Sequence, residues 1–570
     1  MRRRSALLFL LLASFLGITF AADKRPLTHA DFDGWRHIQN QRLSNDGRYL
    51  AYALFPQEGD GELVVRDLKT GKEQRQPIGE LPPPPPVNYA IPQPEDAPPP
   101  VTGMAIQFSA DSKSLVFVTF APRAEVEKAK REKRKPADMP KGDVVVMTLR
   151  SGAVFRAPHA RDFQLPADGN GWVGYLQSPE NVAAPERGSP QRRRRTQPGD
   201  LVLRSLTDGA ERKFAGVTEY TLTKDARMLV YAAQTDSDAS GVYAVKPGDS
   251  SAPVALLAGK GRYSRLSWDP EQTRLAFLSN RDDAAARPPR DKLYAWDRKA
   301  AAATELVSTE TPGVRPGWVI SERALITVSE GGTRIFFGAA PAPPAPKPPD
   351  DRPADERVSV DLWSWKDDYI QPMQKVRAGV ERGRSYRAMF DISTGKLIQI
   401  ATPEMYELVP SEDGTFAMGE DDRAYRRMQE YDGRYQDSYL VNTETGDKKL
   451  VARKHVGHMN WSPDSKYAVY YDGKDWVSIA TPSGQPVNLT AKLGQKFGRE
   501  DFDSPTRPPA YGLAGWTKDG QYVLIYDRYD IWQLRPDGST AVDLTQGQGR
   551  KNHLQFRLVR FDRGDPSSRW

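Results

Sequence analysis

The chain has 570 residues, too long for one small core, so it holds either several domains or one large repeat array. It is 38% hydrophobic and 27% charged, and its 45 Gly and 47 Pro break it more often than a helical protein tolerates, which favours short strands joined by turns. The absence of Cys excludes disulfides, thiolate metal sites, a cysteine nucleophile and a lipid-bearing N-terminal Cys, and a formal net charge of +7, of which Arg2, Arg3 and Arg4 supply three, argues for no nucleic-acid partner.

From the N-terminus, Arg2, Arg3 and Arg4 precede an apolar run from Ala6 to Phe20 and the small residues Ala21 and Ala22. This is the pattern of a signal peptide over residues 1–21, and the run is too short for a spanning helix, which needs roughly 20 residues. The expectation is an exported chain, in the bacterial periplasm or outside the cell, with no membrane contact after cleavage.

A phrase then recurs: an apolar residue, Ser or Thr, an acidic turn with Gly, Ser or Ala, and an alternating apolar strand. Close copies are Leu43-Ser-Asn-Asp-Gly-Arg-Tyr-Leu-Ala-Tyr52, Phe108-Ser-Ala-Asp-Ser-Lys-Ser-Leu-Val-Phe117, Leu222-Thr-Lys-Asp-Ala-Arg-Met-Leu-Val-Tyr231, Trp461-Ser-Pro-Asp-Ser-Lys-Tyr-Ala-Val-Tyr470 and Trp516-Thr-Lys-Asp-Gly-Gln-Tyr-Val-Leu-Ile525. Looser copies start near Leu165, Trp268, Val319 and Leu408. A second phrase ends a strand in a Thr-Gly or Asp-Gly turn, as in Leu63 to Gly71, Phe390 to Gly395, Tyr439 to Gly446 and Trp532 to Gly538. Such turns close hairpins, and one hairpin pair cannot bury both its faces. Neighbouring units must therefore stack, which predicts an all-β, seven- to nine-bladed β-propeller over residues 22–562, followed by a disordered tail over 563–570.

The repeat spacing, roughly 45 to 90 residues, exceeds the 40–45 of a compact blade, so Pro-rich and charged loop insertions are expected. Leu81 to Pro100, with its proline run Pro82 to Pro86, is expected as an extended loop. Glu186 to Asp200, holding Arg192 to Arg195, and Ala339 to Glu356 are expected to be loosely held. Ala124 to Lys135 predicts a short exposed helix, and Ile370 to Arg382, with Met373, Val376 and Val380 at helical spacing, predicts a second.

These repeats resemble those of the exported protein TolB and of prolyl oligopeptidase family serine peptidases, of the acylaminoacyl-peptidase and dipeptidyl-peptidase kind. Phrases outside the repeats add to the resemblance: Leu27-Thr-His-Ala-Asp-Phe-Asp-Gly-Trp35, Gly59-Asp-Gly-Glu-Leu63, Asp361-Leu-Trp-Ser-Trp-Lys366, Gln371-Pro-Met-Gln374, Tyr511-Gly-Leu-Ala-Gly-Trp-Thr-Lys518 and Asp527-Arg-Tyr-Asp-Ile-Trp532. The resemblance implies a propeller that screens access to a carboxy-terminal α/β-hydrolase domain with a Ser-Asp-His triad. That hydrolase is missing before Trp570, so the expectation is the non-catalytic propeller portion of such a peptidase, gating or binding peptides. The alternative is a stand-alone TolB-like envelope propeller that binds a protein partner.

No catalytic, cofactor-binding or metal residue is assigned from the sequence, and no cofactor is expected. A hydrolase elbow needs Gly-x-Ser-x-Gly, and the nearest approaches, Gly383-Arg-Ser-Tyr-Arg387 and Gly248-Asp-Ser-Ser-Ala252, lack the second Gly. His455-Val-Gly-His458 has the spacing of a metal pair, but no neighbour in sequence completes a ligand set, and His29, His37, His159 and His553 are scattered. Glu420-Asp-Asp-Arg-Ala-Tyr425 reads first as a solvated turn and second as a loop at one mouth of the propeller, where a peptide or protein ligand would be met.

Overall fold

The computed structural model describes residues 27–83, 104–135, 138–177, 198–235, 238–286, 288–344, 352, 356, 358 and 360–559. Residues 1–21, expected as a signal peptide, residues 563–570, Arg192 to Arg195 and most of the proline-rich loop lie outside the described residues. No helix among the described residues is long and apolar enough to cross a membrane.

Six of the turn phrases fold the same way. Ser44 Oγ donates to Asp46 Oδ1 at 2.6 Å and accepts from Tyr49 N at 2.8 Å, while Asp46 Oδ1 accepts from Arg48 N. The same bonds recur around Ser109, Thr223, Ser411, Ser462 and Thr517. A hydroxyl and a carboxylate thus satisfy the backbone of a tight turn and start the next strand. The fifth residue of the phrase is left-handed, with φ from 56° to 71° at Ser112, Ala226, Ser465, Gly47, Gly414 and Gly520. Gly is unstrained there, and a side chain costs roughly 1–2 kcal/mol.

Among the described residues the strands form antiparallel meanders that make nine blades: residues 36–80, 106–157, 160–217, 217–258, 263–307, 318–399, 407–455, 460–488 and 513–543. Blades 3 and 4 form one seven-stranded sheet. Their shared strand, Glu211–Leu222, pairs with Gly199–Ser205 through its first half and with Leu229–Ala233 through its second, with left-handed Gly216 at the change. In blade 6 the first strand is split into Trp318–Ile320 and Thr327–Val328, both paired with Arg334–Pro341. The turn equivalent to the repeat phrase is therefore Ser329 to Arg334, where Arg334 N donates to Ser329 Oγ, and not the stretch after Val319.

The core is a series of apolar layers between blades. Phe55 and Leu63 of blade 1 pack with Leu115 and Phe117 of blade 2, and the series continues to Val469 and Trp476 of blade 8 against Trp516 and Ile525 of blade 9. Each such large side chain contributes about 1.5–3 kcal/mol on burial. Among the described residues no buried cluster joins blade 9 to blade 1, and Trp35 and Ile38 of blade 1 are half exposed. First strands of neighbouring blades approach one another, as Arg36–Leu43 does Ile106–Phe108, which puts them on the inside of the curve.

Candidate functional site

The insertion of blade 6, between Arg334–Pro341 and Tyr386–Asp391, carries the helix Gln371–Arg382. Pro372 in its first turn has no N–H to satisfy and presets the helical φ. The helix forms where its periodicity predicts, but it buries the other face. Val376 is 51% and Val380 39% exposed, whereas Arg377 is buried. Its guanidinium lies 4.4 Å from the Tyr369 ring centre and pairs with Glu381 at 3.2 Å, so charge and aromatic contacts replace an apolar seam. The exposed helix over Ala124 to Lys135 is present as Arg123–Arg131, with Ala129 as its buried residue.

Opposite the insertion stands the loop of blade 7 that follows Phe416–Asp421. It forms a short 3-10 helix, Arg423–Glu430, rather than an open turn. Arg426 donates to Asp422 and reaches across to Asp368 of the insertion, both at 2.9 Å. Arg427 donates to the Lys366 carbonyl. Arg384 grips Glu381 at 2.8 and 2.6 Å and lies 3.4 Å from the Tyr406 ring centre. These contacts border an open cleft of about 740 Å³ between blades 6 and 7. Five basic and three acidic side chains line it, with Tyr369, Tyr386 and Tyr406. Burial, and then the Asp422 and Glu407 charges, push the Tyr406 hydroxyl up to about 12, so it remains a hydrogen-bond donor at neutral pH.

Next to this cleft, Glu407 on Glu407–Pro410 stands directly opposite Glu420 on Phe416–Asp421 in the antiparallel register. His458, after left-handed Gly457, brings Nδ1 to 2.9 and 2.8 Å from the two Glu420 oxygens. One ligand atom from each of the three residues lies within 4.8 Å of the others. Glu420 is buried, while solvent reaches Glu407 and His458. Although Glu407 is exposed, the surrounding protein removes enough of its hydration to push its carboxyl up, and the Glu420 charge adds to this.

Fold comparison matches solved structures that carry propellers. The β-propeller domain of the Trilobed protease from Pyrococcus furiosus is 9% identical, with 74% of this chain and 99% of that one covered and a TM-score of 0.29. Dipeptidyl peptidase 4 of Porphyromonas gingivalis is 10% identical over 78% of this chain and 58% of that one, with a TM-score of 0.37. TolB from Acinetobacter baumannii is 11% identical over 74% and 80%, with a TM-score of 0.25. This chain spans 55–58% of the acylaminoacyl, prolyl and dipeptidyl peptidases it matches. No family model and no curated protein matches it.

The two His of the 455–458 pair part company. His455 is buried, 2.7 Å from Ser438 Oγ and with its ring tilted against that of Tyr470, and only His458 turns to the carboxylates. The missing ligands come from other strands, 38 and 51 residues back in the chain, where no local spacing could reveal them. Ser385 lies between helix and strand, and Ser250 in the turn after Gly241–Val245; neither stands on a strand-to-helix elbow. His29, His37, His159 and His553 sit elsewhere, near Phe32, Gln39, the turn before Ala160 and Tyr529.

Proposed function

We propose that this chain is the non-catalytic propeller portion of an exported prolyl oligopeptidase-like serine peptidase, and that the cleft between blades 6 and 7 holds a peptide. The observation that carries this is the cleft itself. Arg377, Arg384 and Arg426 are fixed in place by Glu381, Asp422 and Asp368 before any ligand arrives, so little side-chain entropy is lost on binding. The excess of basic over acidic side chains suits a peptide carboxylate, and the three tyrosines suit its side chains. The peptidase phrases from Leu27 to Trp532 support the parent class, and the pattern from Arg2 to Ala22 supports export.

The test is photo-crosslinking of short peptides, with free or amidated C-termini, to the purified chain. Saturable crosslinks within residues 366–386 and 403–426 are expected, stronger for the free carboxylate and weakened at least fivefold by Arg426→Ala. Saturable crosslinks confined to other blades, or none, would overturn the reading.

A further inference from the structure

We propose that Glu407, Glu420 and His458 form a divalent-cation site on the inner side of blade 7, taking Zn²⁺ or Mn²⁺ with solvent in the remaining positions. Four observations lead there. First, the two glutamates are register partners on adjacent strands, and like charges directly opposite each other are unfavourable unless something positive lies between them. Secondly, among the described residues neither carboxylate is ion-paired to an Lys or Arg; the partner of Glu420 is His458. Thirdly, the imidazole edge faces both Glu420 oxygens at once, so Nδ1 and the carboxylate converge on one point that must hold a proton or a cation. Finally, the turn that aims His458 is braced: Gly457 is left-handed, with φ 74°, and its carbonyl accepts from Gln436 Nε2 at 2.8 Å.

One imidazole and two carboxylates form a ligand set suited to Zn²⁺ or Mn²⁺, with metal–ligand distances of about 2.0–2.2 Å for Zn²⁺. At such distances the 2.8–2.9 Å gap between Nδ1 and the Glu420 oxygens corresponds to an angle near 90° at the metal, roughly that of a site with more than four ligands. Three protein ligands and partial exposure leave open positions for water or a ligand group, unlike a closed structural site. The cluster adjoins the peptide cleft through Tyr406, but does not depend on the peptide reading.

The experiment is calorimetric titration of the EDTA-stripped, dialysed full chain with ZnCl₂ and with MnCl₂, together with the visible spectrum of the Co²⁺ form. One equivalent of Zn²⁺ or Mn²⁺ per chain is expected, with affinity weakened at least tenfold by Glu420→Gln and by His458→Gln, and unchanged by His37→Gln. The spectrum of the Co²⁺ form should lose its imidazole-dependent features in His458→Gln. Thermal melting without metal shows whether each variant is folded, and Glu407→Gln, on the exposed ligand, provides a third variant if one is not. Absence of stoichiometric binding in the unsubstituted chain, or binding that survives in folded Glu420→Gln and His458→Gln, would show that a proton alone fills the cluster.

Discussion

Arg384 stacks 3.4 Å from the centre of the Tyr406 ring while Nε and Nη2, along one edge of its guanidinium, donate to the two Glu381 oxygens. One planar cation thereby ties the insertion of blade 6 to the entry of blade 7. Lys cannot reproduce a stacked, two-point contact. Arg384→Ala is expected to lower unfolding free energy by about 1–2 kcal/mol, and Arg384→Lys to recover less than half of that. Urea denaturation followed by Trp fluorescence checks both, and a Lys variant equal to the parent would show that charge alone suffices.

The repeat turn makes a separate demand. Ser462 is fully buried, and its hydroxyl bonds Asp464 Oδ1 at 2.7 Å and Tyr467 N at 2.9 Å. Ser462→Ala leaves the part-buried Tyr467 N–H without its side-chain partner and should cost about 1–2 kcal/mol. Exposed Ser483, replaced by Ala, should change stability by less than about 0.5 kcal/mol. Chemical denaturation of the two variants side by side decides whether the phrase matters for its hydroxyl or only for its turn conformation.

Stability should depend on pH through His455. Burial holds this imidazole below its ordinary 6.5, with the neighbouring His458 charge acting the same way and Glu420 and Asp437 opposing. The unfolded chain then binds a proton that the native chain resists, so stability is full above about pH 6.5 and falls as pH drops towards the native value. Glu407, pushed up, acts with the opposite sign, losing its contribution as pH rises from 4.5 through its native value. Melting temperature should therefore fall between pH 7.5 and 5.5 in the parent and fall less in His455→Gln. Equal pH slopes in the two proteins would remove His455 as the cause.

The purified chain should not react with a fluorophosphonate probe. Activation of a Ser needs a base within hydrogen-bonding reach and an elbow to expose it. The Ser438–His455 pair has the distance, 2.7 Å, but both residues are buried in the middle of blade 7. Labelling of Ser438, or of any Ser faster than in the denatured chain, would contradict this.

What the sequence by itself determined is the blade. The Ser/Thr-x-Asp phrase forms its bonds within six residues, so each copy carries its own turn into any context, and six of the nine described blades carry one. The helix over residues 371–382 was equally legible, since period and an early Pro are local properties. What only the tertiary structure decided is which faces meet. Val376 and Val380 had the apolar spacing, yet Arg377 is buried, because it stacks over the Tyr369 ring and pairs with Glu381 on its own helix. The turn of blade 6 moved from Val319 to Ser329 because a split first strand still satisfies one long partner. Glu407, Glu420 and His458 converge through strand register and a connection between blades, relationships that arise only once the sheets have paired and stacked.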